Sequence, residues 1–145
     1  MACIWTRRPT VSQLNTIHAN TAVAALGITI VEVTDDSLIG EMPVDARTVQ
    51  PAGLLHGGAS VLLAETLGSA AAMGCVDAGA MAVGMEINAN HLKGVRSGKV
   101  RGVATPVRLG RTSHVWDIRI SDDAGVLVCV SRLTVMVVPG TPAVA

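Results

Sequence analysis

Aromatic side chains are almost absent from this 145-residue chain, which has two Trp and neither Phe nor Tyr. Single-stranded nucleic acids are commonly bound by stacking of bases on such rings, so a stacking platform is excluded. The formal net charge is zero, with 11 basic and 11 acidic residues. A balanced charge also argues against a general nucleic-acid binder. We therefore expect no nucleic-acid partner.

Cysteines are few: Cys3, Cys75 and Cys129 have no paired or CxxC spacing. The N-terminus lacks the apolar segment of a secretory signal, so we expect a reduced, cytoplasmic setting. No run of 18 purely apolar residues occurs, so no membrane span is expected. Half of the residues are nevertheless hydrophobic, which favours a single domain over residues 1–145 with an oligomer interface.

Several motifs of hydrolases and nucleotide-binding proteins are missing. The chain has no HExxH, no GxSxG and no GxxxxGK[ST]. His56 and Glu65 are nine positions apart, on different helix faces, which is a poor arrangement for a shared metal ion. Ser60 has no His and Asp at recognisable positions, which argues against a serine nucleophile. We expect no metal site.

Hydrophobic periodicity and turn residues predict the order of elements. A first helix, capped by Ser12, is followed by a hairpin, a long helix and four long strands separated by Gly or Asp turns. The fold class is therefore α+β, with a curved antiparallel sheet, arranged as a meander, around one central helix. Residues 138–145 are expected to form a flexible tail. The predicted ranges are 10–25 (helix), 28–34 and 38–44 (hairpin), 57–74 (helix), and 81–92, 98–107, 113–121 and 127–138 (strands).

The long helix carries a single charge, Glu65, between His56 and Asp77. Its helix neighbours include no cation, and burial of an unpaired carboxylate is costly. Such a group is what a general base or nucleophile requires. Pairing with a polar group across a subunit interface explains the same pattern, so both interpretations remain open.

Gly57 and Gly58 begin this helix, where backbone N–H groups have no intrahelical acceptor and the helix dipole is positive. Such an N–H can stabilise the negative charge that develops on a carbonyl oxygen under nucleophilic attack. His56 and Gln50 lie just before this helix in the sequence, and each can donate a hydrogen bond to a ligand bound at the helix N-terminus. A plain tight turn and a structural histidine are the alternative interpretations.

Basic residues are concentrated between His91 and Asp117, where no acidic residue occurs. This distribution fits either a solvated strand face or a site for a phosphorylated ligand. The cations are Lys93, Arg96, Lys99, Arg101, Arg108 and Arg111.

The run QPAGLLHGGAS from Gln50 to Ser60, followed by LAETLGS ending at Ser69, resembles the hot-dog-fold acyl-CoA thioesterases of the hydroxybenzoyl-CoA type. The resemblance extends over nearly the whole chain, through MPVDAR at residues 42–47 and EINANH at residues 86–91. It implies a helix wrapped by an antiparallel sheet and a homotetramer built from two dimers. It also implies active sites at the dimer interface and no cofactor, because coenzyme A is part of the substrate.

The resemblance assigns roles to individual residues. Glu65 is the nucleophile or general base, and the Gly57 N–H polarises the thioester carbonyl. Gln50 and His56 orient thioester and water, and Ser69 positions the water or the acyl end. The coenzyme A arm is expected to contact Gly84, His91, Lys93, Arg108 and Arg111.

The implied activity is hydrolysis of aromatic, or medium-chain, acyl-CoA or acyl-carrier-protein thioesters. One departure concerns the position after Pro51, which is usually aromatic in the members that the chain resembles most and is Ala52 here. A hot-dog dehydratase or hydratase and a non-catalytic acyl-CoA-binding module are the alternatives. An essential Glu65 would argue against the binding module.

Overall fold

A computed structural model describes residues 2–140. Six antiparallel strands form one sheet in the order β1-β2-β4-β5-β6-β3. The elements in chain order are α1 (Val11–Ile17), α2 (Ala22–Ala25), β1 (Thr29–Val33), β2 (Leu38–Pro43), α3 (Gly57–Cys75), β3 (Ala80–His91), β4 (Lys99–Leu109), β5 (Ser113–Asp122) and β6 (Leu127–Pro139).

The predicted hairpin, central helix and four long strands are confirmed, with ends that differ by at most two residues. The predicted meander is wrong for one strand: β3 pairs with β6 and not with β4. As a result, β3 is an edge of the sheet although it precedes β4 in the chain. The predicted flexible tail lies mostly outside the described residues, and residues 138 and 139 belong to β6.

The predicted helix over residues 10–25 is wrong, because the structure has two short helices there. Thr10, and not Ser12, caps α1 through a reciprocal capping box with Gln13. Asn20 adopts a left-handed conformation with φ of 58°, and Thr21 then caps α2 by accepting a hydrogen bond from Val23 N–H. A left-handed residue and a new cap interrupt the helix, which periodicity alone does not predict.

The central helix α3 packs against every strand from β2 to β6. Leu63 and Leu67 are completely buried, and each contributes about 2 kcal/mol of hydrophobic stabilisation. Glycine permits this close approach, because a methyl group on Gly68 would lie 2.6 Å from Leu133 Cδ2. By length and composition α3 could also cross a membrane. Its ten buried residues identify it instead as the core helix of this domain.

Candidate active site

The N-terminus of α3 has one uncommitted backbone donor. His56 is the N-cap, and its Nδ1 accepts a hydrogen bond of 2.8 Å from Gly58 N–H. Since Nδ1 is the acceptor, the neutral ring carries its proton on Nε2, which becomes a donor. Within residues 2–140, the Gly57 N–H has no hydrogen-bond acceptor. The positive end of the helix dipole therefore presents a free N–H at Gly57.

A cavity of about 340 Å³ adjoins this N-terminus and contains four of the predicted site residues: Gln50, Gly57, His91 and Lys93. The imidazole of His91 packs directly on Gly57, where a methyl group would lie 2.8 Å from Nε2. Gln50 accepts a hydrogen bond from the Ala52 N–H through its side-chain oxygen. This contact leaves the Gln50 amide hydrogens as donors toward the cavity.

Glu65 and Ser69 line a second cavity of about 440 Å³, between α3 and the short helices α1 and α2. Glu65 is half-buried, whereas its apolar surroundings in the sequence predicted a buried carboxylate. Among the described residues that line this cavity, it has the only charged side chain. Two other lining residues, His18 and Thr66, are polar. The rest of the lining is apolar and consists of Leu14, Ile17, Ala22, Val23, Leu62, Ala70 and Met73.

The carboxylate of Glu65 lies against the free edge of the sheet. A methyl group placed on Gly84 of β3 would be 2.7 Å from Glu65 Oε1, so only glycine leaves room for the carboxylate as it stands. The register of β3 shifts between Gly84 and Glu86. Such bulges frequently occur next to active sites, where they redirect a strand.

Glu65 and Gly57 are too far apart within one chain to act on the same thioester. Eight residues separate them on α3, which corresponds to about 12 Å along the helix axis. Reacting groups must approach within about 3.5 Å. The structure therefore assigns Glu65 with Ser69, and Gly57 with Gln50, to different cavities of the same chain.

The predicted basic cluster is divided in the structure. Arg111 lines a small cavity with Cys75 at the C-terminal end of α3, opposite the end where Lys93 lies near Gly57. Arg108 and Arg111 are exposed, and neither has an ion-pair partner among residues 2–140. Both therefore remain free to bind an anionic group.

Three further cations of the cluster, Lys93, Lys99 and Arg101, are already paired, whereas Arg96 has no ion-pair partner among residues 2–140 and donates to Ala52 O. Lys93 donates a 2.7 Å hydrogen bond to Asp122 and holds the pKa of that carboxyl below its usual value. Lys99, with a further contribution from Arg101, does the same for the pKa of Glu41. The interpretation of a solvated, ion-paired strand face therefore applies to Lys99 and Arg101.

The three cysteines lie outside the two cavities that contain the candidate catalytic residues. Burial, with a smaller effect of Cys3, raises the pKa of Cys75 to about 12. Burial also raises the pKa of Cys129. A thiol whose pKa is raised is protonated at neutral pH and is a poor nucleophile.

One cavity residue was missed by reasoning from the sequence. His18 lines the same cavity as Glu65, but helical periodicity in the sequence predicts it only as part of a long first helix. Its polarity at an otherwise apolar helical position was the one available signal.

Comparison with known proteins identifies the family. A family model described as Thioesterase superfamily matches residues 52–129, more than half of the chain. This chain belongs to the thioesterase superfamily. The predicted family and the predicted hot-dog fold are thereby confirmed, and the protein is a thioester hydrolase.

Individual relatives agree with this assignment. A 1,4-dihydroxy-2-naphthoyl-CoA hydrolase of Escherichia coli is 50% identical over 131 residues, covering 90% of this chain and 96% of that protein. The crystal structure of a thioesterase variant from Pseudomonas aeruginosa matches with a TM-score of 0.93 and 53% identity. That match covers 94% of this thioesterase and 99% of the other chain.

A thioesterase of Staphylococcus aureus is a more distant relative, with 35% identity and a TM-score of 0.78. The match covers 81% of this thioesterase and 98% of that chain. Its crystal structures include a variant with one glutamate replaced by alanine and another with one glutamine replaced by alanine. The two replaced residues are fifteen positions apart, as are Gln50 and Glu65 in this thioesterase.

Proposed function

We propose that this thioesterase hydrolyses acyl-CoA or acyl-carrier-protein thioesters with an aromatic or medium-chain acyl group, in sites formed between two copies of the chain. The observation that carries the proposal is the distribution of the candidate residues. Glu65 lies at the free edge of the sheet beside Gly84, whereas the free Gly57 N–H lies about 12 Å away. A single chain therefore contains both groups, but they are too far apart to act on the same substrate molecule.

The exposed edge strand β3 supports the pairing of two copies. It is 12 residues long, and among residues 2–140 it pairs with β6 on one side and with no strand on the other. Met81, Val83 and Met85 of this strand are exposed. A long apolar edge of this kind is a template for pairing with another strand. Antiparallel pairing of two β3 edges would orient the two α3 helices in opposite directions and bring Gly57 of one copy toward Glu65 of the other.

In this arrangement each group has a defined chemical task. The Gly57 N–H of one copy polarises the thioester carbonyl, with Gln50 and His56 donating hydrogen bonds that orient the ester. Glu65 of the other copy attacks the carbonyl carbon or removes a proton from an attacking water. Ser69, one helical turn later, positions the water or the acyl end.

The C–S bond breaks and the thiolate leaves. In the general-base route the thiolate takes up the proton that Glu65 removed from the water. In the nucleophilic route the acyl group is left on Glu65 as a mixed anhydride, which water hydrolyses to the free acid and the Glu65 carboxylate, and the thiolate takes up a proton from water.

The cavity beside Glu65 suits an apolar acyl group. Its lining is aliphatic for the most part, and sites of this size usually combine an apolar wall with a few placed polar groups. Ala52 supplies no aromatic ring near the site, and the chain has no Phe or Tyr. The acyl group is therefore bound by aliphatic packing, which tolerates both flat rings and chains.

The coenzyme A arm is proposed to leave the cleft past Gly84 and His91. Lys93 lies beyond His91 in the same cavity, although Asp122 already neutralises it. Opposed α3 helices would also bring the C-terminal end of one helix, with the unpaired Arg108 and Arg111, toward the His91 region of the other copy. Phosphate groups are favourable partners for such unpaired guanidinium groups.

Two further parts of the proposal extend beyond one pair of chains. Two dimers are proposed to associate as a homotetramer, and the cytoplasm remains the predicted location. No cofactor is assigned, because the residues of the proposed site are sufficient for hydrolysis by acid–base or nucleophilic catalysis.

The spacing of the residues replaced in the Staphylococcus aureus structures supports Gln50 and Glu65 as a functional pair.

The test is substitution of Glu65 by Gln, which retains shape and removes the charge. We expect Glu65→Gln to fold and bind CoA thioesters while turnover falls by at least about a hundredfold, the usual scale for an acid–base group. Release of the free thiol is measured with a colorimetric thiol reagent, and folding by thermal melting. Glu32→Gln, a matched change at an exposed residue of β1, should retain normal turnover. Normal hydrolysis by Glu65→Gln would refute the proposed mechanism.

A further inference from the structure

The segment that precedes β1 in the chain also covers the free side of that strand. Among residues 2–140, β1 pairs with β2 on one side and with no strand on the other. Just before the strand, Ile28 N–H donates to Val23 O at 3.0 Å. Just after it, Thr34 O accepts a 2.7 Å hydrogen bond from Trp5 Nε1. Residues 4–23 thereby protect this edge, as natural sheets commonly do with a helix or loop.

Asn15 of α1 makes the contact at the middle of this edge. Its Oδ1 accepts a hydrogen bond of 2.8 Å from Ile30 N–H, and its Nδ2 donates one of 2.9 Å to Ile30 O. One side-chain amide therefore pairs with both backbone groups of a strand residue, as a residue of a neighbouring strand would. Among residues 2–140 these are the only hydrogen bonds between α1 and the sheet. Because hydrogen bonds are directional, the two together fix where α1 lies.

The helix that Asn15 holds forms part of the wall of the cavity beside Glu65. Leu14 and Ile17 of α1 both line this cavity. Leu14 is buried in the core, whereas Ile17 is 66% exposed and presents apolar surface with little packing behind it. Hydrophobic packing is not directional, so the anchoring of Leu14 does not by itself fix the position of Ile17. The position of this wall therefore depends on the paired hydrogen bonds of Asn15.

We propose that Asn15 is a positioning residue for substrate selection, which holds α1 where Ile17 contacts the far part of the acyl group. The inference rests on the proposed function, in which this cavity holds the acyl group. The reacting carbonyl must lie close to Glu65 on α3, so a short acyl group stays beside that helix and only a longer one reaches α1. Asn15 therefore controls the affinity for longer acyl groups and leaves the chemical step unchanged.

The experiment compares acyl groups that differ in length. Butanoyl-CoA is paired with octanoyl-CoA, and benzoyl-CoA with 4-butylbenzoyl-CoA, with kcat and KM measured separately by thiol release. For the wild type we expect the longer member of a pair to have the lower KM. Asn15→Leu keeps the size of the side chain and removes both hydrogen bonds. In this variant KM for the longer member should rise about tenfold, as for lost contact with roughly two methylene groups, while kcat and the shorter member are unaffected.

The control is Thr16→Ala, at an exposed residue of the same helix, which should leave both members of a pair unchanged. If Asn15→Leu does not fold, the milder Asn15→Asp keeps the acceptor for Ile30 N–H and should raise the same KM about threefold, as for part of one hydrogen bond. The role of Asn15 alone would be overturned by an unchanged KM for the longer member in the variant that folds, by an equal loss on both members, or by a wild type without the preference. A wild type that hydrolyses none of the four esters would refute the proposed function as well.

Discussion

A site shared between two copies should be rebuilt from two inactive variants. One partner is Glu65→Gln, which loses the carboxylate, and the other is the double variant Gln50→Ala/His56→Asn, which loses two donors beside Gly57. Asparagine is a good N-cap and preserves the cap that His56 provides for α3. Because about 12 Å separates the two groups within a chain, each variant retains an intact half of the site that the other lacks.

The size of the recovery follows from the geometry. Each homogeneous variant should retain at most about 1% of wild-type turnover, since each loses an acid–base group or carbonyl-stabilising donors. Random pairing of equal amounts makes half of the dimers mixed. Each mixed dimer has one site with all groups intact and one site that lacks the side chains of Glu65, Gln50 and His56. The mixture should therefore recover about a quarter of the wild-type activity per chain.

The assay is thiol release by chains co-expressed in equal amounts, normalised to total protein. Mixing the separately purified variants without exchange of subunits is the control and should remain inactive. Size-exclusion chromatography establishes that the co-expressed chains associate as the wild type does. Recovery no greater than the mean of the two variants, with normal association, would refute the shared site and require both halves to act within one chain.

Two further predictions test the surroundings of the site. Gly84→Ala places a methyl group 2.7 Å from Glu65 Oε1, so the carboxylate must move. We expect kcat to fall about tenfold or more while the melting temperature changes little. An unchanged kcat would show that the position of this carboxylate is not critical. Arg108→Ala and Arg111→Ala should raise KM for CoA esters more than for a short pantetheine ester, because only the former carries the phosphates. The control is Arg101→Ala, which removes a cation already paired with acidic residues; equal effects on both esters would remove the phosphate role.

The elements that were predicted well depend on local patterns. Gly and Asp turns separate the long strands, and alternation or continuous apolarity over ten residues requires few assumptions about the rest of the chain. The prediction of one continuous first helix was wrong because the interruption depends on the left-handed Asn20 and on the new cap at Thr21. Both are features of side-chain and backbone geometry that helical periodicity does not report.

The candidate site was predicted as a set of residues but not as a geometry. The helix start at Gly57 and the single charge at Glu65 were both evident in the sequence, and α3 begins where predicted. The apolar surroundings of Glu65 in the sequence predicted a buried carboxylate, whereas Glu65 is half-buried at the sheet edge. Lys93 and Arg111 were predicted to belong to one basic cluster, although they lie at opposite ends of α3.

The sequence by itself determined the chemistry that this thioesterase can use: one carboxylate in an apolar helix, and glycine, histidine and glutamine at the start of that helix. These are properties of residue type and of spacing along one helix, which local hydrogen bonding makes regular. Only the tertiary structure decided where the chemistry occurs. The pairing of β3 with β6 leaves β3 as a free edge beside Glu65, and the break at Asn20 lets both α1 and α2 line the cavity beside Glu65. Both depend on contacts between residues distant in sequence, which no local pattern encodes.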